Sequence, residues 1–340
     1  MSHTTSTQIQ LVARPQGWPT PDDFRTVTVE YGDLEPGQVR VRNAYLSVDP
    51  YMRGRMNDVK SYTPPFALGE TMTGGAIGRV IESAADDVPV GTLVQHELGW
   101  RDVAQADRSA FRVVPELPGV PLSVRLGILG MTGLTGYVGL TAIAGMRAGD
   151  TVFISGAAGA VGTAAGQIAR LLGAKRVIGS AGSAEKVALL TGKYGYDAAF
   201  NYKDAPAREQ LAALAPEGID VFFDNVGGDH LEAALDVLNP GGRVALCGAI
   251  AGYNVTEKPA GPDNMANIIT RGLTLKGFTL AGYVHLAPEF SERMTAWFGA
   301  GEIAYDETVV DGIEHAVDAF LDMMRGANTG KMLVRVAEQA

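Results

Sequence analysis

The chain has 340 residues, 46% hydrophobic and 19% charged, enough apolar sequence to fill the cores of two domains and too little charge for a disordered one. Its net charge of −10 excludes a surface that displaces counterions from nucleic acid or an anionic membrane, so the expected partner is a small molecule. One cysteine, Cys247, can form neither an internal disulfide nor a structural zinc site, and the opening MSHTTSTQIQ lacks the basic and apolar regions of a signal peptide, which predicts a cytoplasmic protein.

Up to residue 125, alternating runs such as VRVRNAYLSV and GGAIGRVIES are broken by Pro and Gly about every ten residues, the pattern of a twisted, mostly antiparallel β domain. From Leu126 to Met146 the chain is uncharged, with Arg125 and Arg147 at its ends, a length that would also suit a membrane span. Glycine at every third position from Gly127 to Gly139 lowers its hydrophobicity and favours close backbone approach, so the stretch reads as a buried helix where two domains join.

From Thr151 the rhythm becomes strand, helix, strand. TVFIS, KRVIGS, DAAFNY, DVFFDNVG and RVALCG read as strands; VGTAAGQIARLLG, AEKVALLTGKYG, AREQLAALA and DHLEAALDVLNPGG read as the helices between them. This alternation predicts a Rossmann-type doubly wound parallel sheet. Near the end, IEHAVDAFLDMMRGA is an amphipathic helix and KMLVRV a strand that returns to the first domain. The expected fold is α/β, with a β-rich domain over residues 1–125 completed by 311–340, and a dinucleotide-binding domain over 126–310.

Between TVFIS and its helix lies GAAGAVG, Gly156 to Gly162. A turn without side chains lets backbone N–H groups and the positive end of the helix meet a pyrophosphate. Ala157 stands where the G-x-G-x-x-G fingerprint has its first glycine, and a glycine turn also serves plain packing. The position after a buried strand and before a helix is the context that the motif requires.

The next strand should end, about twenty residues beyond the glycines, in an acid that binds the adenosine ribose; binders of the 2′-phosphorylated cofactor offer a cation there instead. Here the chain reads GSAGSAEK. Gly182 and Ser183 leave room and donors, Lys186 stands one turn into the helix, and Arg170 and Lys203 are alternative cations for the same phosphate. NADPH is therefore the expected cofactor.

Eight pieces in order carry a resemblance: SVDPYMRGRM, GMTGLTGY, GAAGAVG, GSAGSAEKV, FNYK, FDNVGG, CGAIAGYN and GANTGK. Together they resemble the zinc-independent medium-chain dehydrogenase/reductases, in the branch of leukotriene B4 12-hydroxydehydrogenase, prostaglandin reductases and alkenal double-bond reductases, including curcumin reductase. The resemblance implies a Rossmann domain and a GroES-like catalytic domain. It assigns the pyrophosphate to Ala157, Ala158, Gly159, Ala160, Val161 and Gly162, and the adenosine 2′-phosphate to Lys186 and Tyr202 with Gly182 and Ser183. It places Thr132, Asn225, Cys247, Gly248, Ala249, Ile250, Tyr253, Phe278, Thr279, Leu280, Asn328, Pro50 and Tyr51 against the cofactor. It also implies a homodimer built by edge pairing of Rossmann sheets, with LTLKGFTLAGY as the edge.

Zinc-dependent relatives of that superfamily hold their metal through Cys and His. Here the corresponding regions read LSVDPYM and Gly69-Glu70, Cys247 ends a Rossmann strand, and His96, His230, His285 and His315 are scattered without ligand spacing, so no metal is expected. Without a Lewis acid, the accessible reaction is hydride addition to an alkene conjugated with a carbonyl, followed by protonation of the enolate. Tyr51 and Tyr253, then Tyr62, are the expected proton or hydrogen-bond donors, with direct protonation by solvent as the alternative. The pocket is expected to include Phe66 and Tyr283 and the loop from Pro259 to Asn264. A quinone reductase and a non-catalytic NADPH-binding protein share the same cofactor motifs.

Overall fold

The computed structural model describes residues 4–257 and 259–336. These divide into two compact units, one formed by the residues up to Leu126 with those from Glu307 onward, the other by Gly127–Asp306.

The first unit opens with an antiparallel pair, β1 (Thr4–Leu11) and β2 (Phe24–Tyr31). β3 (Gln38–Ser47) follows and leads through a short turn into α1 (Tyr51–Arg55). Then come β4 (Ala76–Ser83), β5 (Leu93–His96), β6 (Val103–Asp107) and β7 (Arg112–Val113). β3 pairs antiparallel with both β4 and β6, and its alternate residues Val39 and Val41 enter a core with Val80, Val94, Ala104 and Phe111. Burying each large apolar side chain of this kind contributes about 1.5–3 kcal/mol.

Between those valines, Arg40 is 2% exposed. Its guanidinium donates to Glu82, Gln105, Thr4 and the carbonyl of Gly32, which joins the first hairpin to the larger sheet. His96 is buried as well, with the amide N–H of Leu98 donating to Nδ1 and Nε2 set 2.8 Å from Asn43 Oδ1. An accepting Nδ1 fixes the neutral Nε2–H tautomer, and burial, with the charge of Arg101, lowers its pKa to about 3.

The second unit begins with α2 (Met131–Val138), whose last turn widens into a π-helical turn over Gly139–Ile143. The recurrent glycines have a packing use. A Cβ at Gly136 would stand 3.2 Å from the backbone of Ala165, and one at Gly139 would stand 2.3 Å from the ring of Phe223. No helix among the described residues is long and apolar enough to cross a membrane.

The strand–helix alternation runs β8 (Thr151–Ile154), α3 (Ala160–Leu171), β9 (Arg176–Ala181), α4 (Ala184–Gly192) and β10 (Ala198–Asn201). It continues with α5 (Ala207–Leu214), β11 (Ile219–Asp224), α6 (Asp229–Val237), β12 (Leu238–Leu246), α7 (Ala266–Thr270), β13 (Thr274–Gly277) and α8 (Ala287–Gly299). The strands form one parallel sheet in the order β10-β9-β8-β11-β12-β13. The order reverses between β8 and β11, and ligands of open α/β sheets bind beyond the carboxyl ends of the strands at such a point. α6 ends at Val237, short of the DHLEAALDVLNPGG stretch, and Leu238 is already extended. Pro240 lacks an amide donor and disfavours helical backbone at Asn239, so the chain turns into β12.

The chain then returns to the first unit through β14 (Glu307–Asp311), α9 (Ala316–Met324) and β15 (Lys331–Arg335). β15 pairs antiparallel with β3, which gives the sheet order β14-β15-β3-β4-β5-β7.

Candidate active site

At the switch point, Gly156 follows β8 with φ at +58°, a conformation that glycine adopts without strain. The left-handed residue thus stands one position before Ala157, whose N–H donates to the carbonyl of Ser180 on β9. Gly162 brings α3 against the turn: a Cβ there would stand 2.6 Å from the Cα of Ala157. No side chain caps α3 at Gly159. The first amide groups of Ala160, Val161 and Gly162 have no intrahelical acceptor, and with the helix dipole they suit an anion. Ala157 and Ala158 are buried beneath them.

Asp224, the last residue of β11, ties the neighbouring strand ends together. Its Oδ1 accepts the hydroxyl of Ser155 at 2.8 Å and the amides of Val226 and Gly227 at 2.9 Å, while its carbonyl accepts the amides of Cys247 and Gly248. Oδ2 is buried without a hydrogen-bond partner. Burial raises the pKa of this carboxyl above the usual carboxylate value despite those donors. Asn225 donates to the carbonyl of Ser155 from Nδ2 and accepts the amide of Ile250 on its own carbonyl. The thiol of Cys247 is pushed up to about 12 by burial and the nearby Asp224, so it stays protonated.

Beyond Gly248 and Ala249, the phenol oxygen of Tyr253 accepts the Ala249 amide at 3.4 Å. Burial keeps this phenol protonated well above its ordinary range. Phe278 lies edge-on to Phe223, 6.5 Å between ring centres, and Thr279 leads into the short helical turn over Leu280–Leu286. On α2, Thr132 is 5% exposed with a buried hydroxyl lacking a partner. An unspent hydroxyl of this kind costs about 1–3 kcal/mol unless a ligand reaches it.

At the end of β9, Ser183 caps α4 by accepting the amide of Lys186. The Tyr202 ring covers Gly182, where a Cβ would stand 3.0 Å from the phenol oxygen. Tyr202 also packs edge-on to His230, with Lys203 Nζ 5.9 Å from its ring centre. Burial and the charge of Lys203 lower the Lys186 ammonium, so two lysines face this corner. Arg170 stands at the far end of α3, paired with Asp197 at 2.9 Å, which removes it from the phosphate candidates. His230 is buried; burial lowers its pKa to about 4, and Nε2 has no partner.

In the first unit, Pro50 precedes Tyr51 at the start of α1. The Tyr51 phenol is raised above its ordinary range by burial, then by the charges of Asp49 and Glu97, with Arg55 opposing. It remains an acid that gives up its proton only to a strong base. Tyr62 is 67% exposed, and Asn328, between α9 and β15, donates to the carbonyl of Gly330. Phe66, expected in the pocket lining, is 4% exposed, with the Arg55 guanidinium 4.0 Å from its ring centre. Asn264 and Asp263 fasten their loop to α6 and to Arg208. Asp49, Glu97, Asp224 and Ser155 were not singled out by motif. The first and third lie inside SVDPYM and FDNVGG, where an acid among apolar residues was the available signal.

Among the described residues no three or more His, Cys, Asp or Glu side chains are grouped to hold a metal, so the donor set does not fit zinc. Two family models match: residues 7–114 match an N-terminal domain of oxidoreductases, and residues 160–298 match a domain described as zinc-binding dehydrogenase. The NADPH-dependent curcumin reductase of Escherichia coli is 40% identical over 332 residues, covering 96% of each chain. The NADP-dependent 2-alkenal reductase of Nicotiana tabacum is 39% identical over 341 residues, covering 98% of each. The structure of CurA from Vibrio vulnificus in complex with NADPH superposes with a TM-score of 0.91 at 40% identity, covering 98% of this chain and 100% of that one. With an uncapped glycine turn at the switch point, a lysine corner in place of the ribose acid and relatives matched from end to end, this chain belongs to the zinc-independent medium-chain dehydrogenase/reductases, in their double-bond reductase branch.

Proposed function

We propose that this protein reduces the C=C double bond of α,β-unsaturated aldehydes or ketones, with NADPH as the reductant. The observation that carries the reading is the pair of features beyond the ends of β8, β9 and β10, the bare helix N-terminus after GAAGAVG and the Lys186/Lys203 corner where an acid would repel a 2′-phosphate. NADPH, when bound, supplies the hydride that adds to the β-carbon. The unit of Gly127–Asp306 is the nucleotide-binding part, holding the pyrophosphate on Ala157 to Gly162 and the 2′-phosphate on Lys186, Tyr202 and Ser183; the unit completed by β14 and β15 carries the Tyr51 donor. Pro50 and Asn328 from that unit, with Thr132, Asn225, Cys247 to Ile250, Tyr253 and Phe278 to Leu280, are the further cofactor contacts of this reading.

Charge develops on the carbonyl oxygen as hydride arrives, and a preformed O–H donor stabilises it. Tyr51 and Tyr253 hold their protons at neutral pH because burial disfavours the phenolate, which suits each to donate to an enolate. Tyr62, mostly exposed, is the third donor, and solvent is an additional source of the α-proton.

The unfilled edge of β13, with Ile269 84% and Val284 63% exposed in the adjoining segments, supports a homodimer through that strand. A cytoplasmic location follows from the same reading, supported by the single reduced-type cysteine. The test is the oxidation of NADPH, and of NADH in parallel, with a 2-alkenal, an enone and a benzoquinone. Reduction of the enones with NADPH alone supports the proposal; turnover of the quinone alone, or equal use of NADH, overturns it.

A further inference from the structure

Lys331 opens β15 and is 3% exposed, and its partner Asp49 is equally buried. An ammonium has three protons to place. Lys331 places them on the carbonyl of Val48 at 2.7 Å, the carbonyl of Met332 at 2.9 Å and the Oδ1 of Asp49 at 3.1 Å. The other Asp49 oxygen accepts the hydroxyl of Ser47, and the amide of Val48 donates to Met332. The turn that ends β3 and starts α1 is thus fastened on both sides by residues 331 and 332. Tyr51 is the next residue but one, and the Asp49 carbonyl accepts the amide of Met52 in the first turn of α1.

A lysine buried at this depth costs several kcal/mol before its partners repay it, and well-packed apolar residues often do as well for stability alone. The geometry points to a different use: we propose that Lys331 is a positioning residue for the reduction, acting through the Val48–Pro50 turn to hold the Tyr51 phenol in place. The compact, tetrahedral ammonium meets three acceptors that diverge from one point, a task for which a planar guanidinium is unsuited. Lys331 also neutralises Asp49, a charge that acts on the Tyr51 phenol.

This inference rests on Tyr51 as a proton donor, and a double-mutant cycle separates the two. Lys331→Met, Tyr51→Phe and the double variant are compared for kcat with an enone, for NADPH dissociation and for thermal midpoint. Lys331→Met is expected to lower kcat about tenfold or more, as small misplacements of a reacting group do, with the NADPH dissociation constant changed by a smaller factor than kcat. In the Tyr51→Phe background the same change should have no further effect on kcat. If the two losses multiply, Lys331 acts elsewhere and the proposal fails while Tyr51 stands. If Tyr51→Phe alone keeps full kcat, the donor assignment fails and the positioning role with it. Should Lys331→Met not fold, Lys331→Met combined with Asp49→Asn removes both charges, and the cycle is run on that pair with the same criteria.

Discussion

The methyl of Ala157 and the bare Cα of Gly179 occupy complementary space, since a Cβ at 179 would lie 2.9 Å from the Ala157 Cβ and 2.8 Å from the Tyr196 ring. The fingerprint position that lost its glycine is thus accommodated by a glycine on the neighbouring strand. Gly179→Ala is expected to lower stability by about 1–3 kcal/mol, the range for overpacking a filled site. Adding Ala157→Gly should recover part of that loss, because Tyr196 still obstructs. Urea denaturation of the two variants measures both effects; a neutral Gly179→Ala would show that the strands yield.

On the proposed reading, Lys186→Glu places a carboxylate beside the cofactor's 2′-phosphate. NADPH binding is expected to weaken by about 2 kcal/mol or more, roughly thirtyfold in Kd, while NADH binding changes little. Titration of both nucleotides by nicotinamide fluorescence reads the difference. Equal weakening would mean that Lys186 supports the fold of α4 rather than the phosphate.

Two buried imidazoles make stability depend on pH. His96 and His230 take up protons only below about 3 and 4 in the folded protein, whereas unfolded histidine does so near 6.5. Between pH 6.5 and 4 the unfolded chain binds more protons, so stability is lost as the pH is lowered, by about 1.4 kcal/mol per unit for each ring. His230→Leu, which puts an apolar side chain between Phe200 and Tyr202, should remove roughly half of that slope in denaturation series from pH 7 to 5.

Arg40→Met is expected to cost about 2–4 kcal/mol, less than a fully buried pair because Glu82 is 44% exposed and regains water. Gln105 and the Gly32 carbonyl lose their donor in the same change. Arg40→Lys should fall between the two, retaining charge without the fork. Thermal unfolding distinguishes the three proteins, and equal midpoints for Lys and Met would place the value of the site in the fork alone.

The parallel sheet was legible because TVFIS, KRVIGS and DVFFDNVG are continuous apolar runs, which buried parallel strands require. The glycine turn was legible because its pattern is local, spelled out within a strand, a turn and one helical turn. The end of α6 was misjudged by the run NPGG, where Pro240 rather than the glycines stops the helix. Asp49 and Lys331 stand at opposite ends of the sequence, and no periodicity links them; only the pairing of β15 with β3 makes them neighbours.

That pairing also sets an order of events during synthesis. The Gly127–Asp306 unit is one uninterrupted stretch and holds every strand of its sheet as soon as it leaves the ribosome. The unit begun earlier must wait for β15, so Asp49 is translated about 280 residues ahead of the cation that pairs with it. The strands of the Gly127–Asp306 sheet are therefore all made before the strand that fastens the Tyr51 turn.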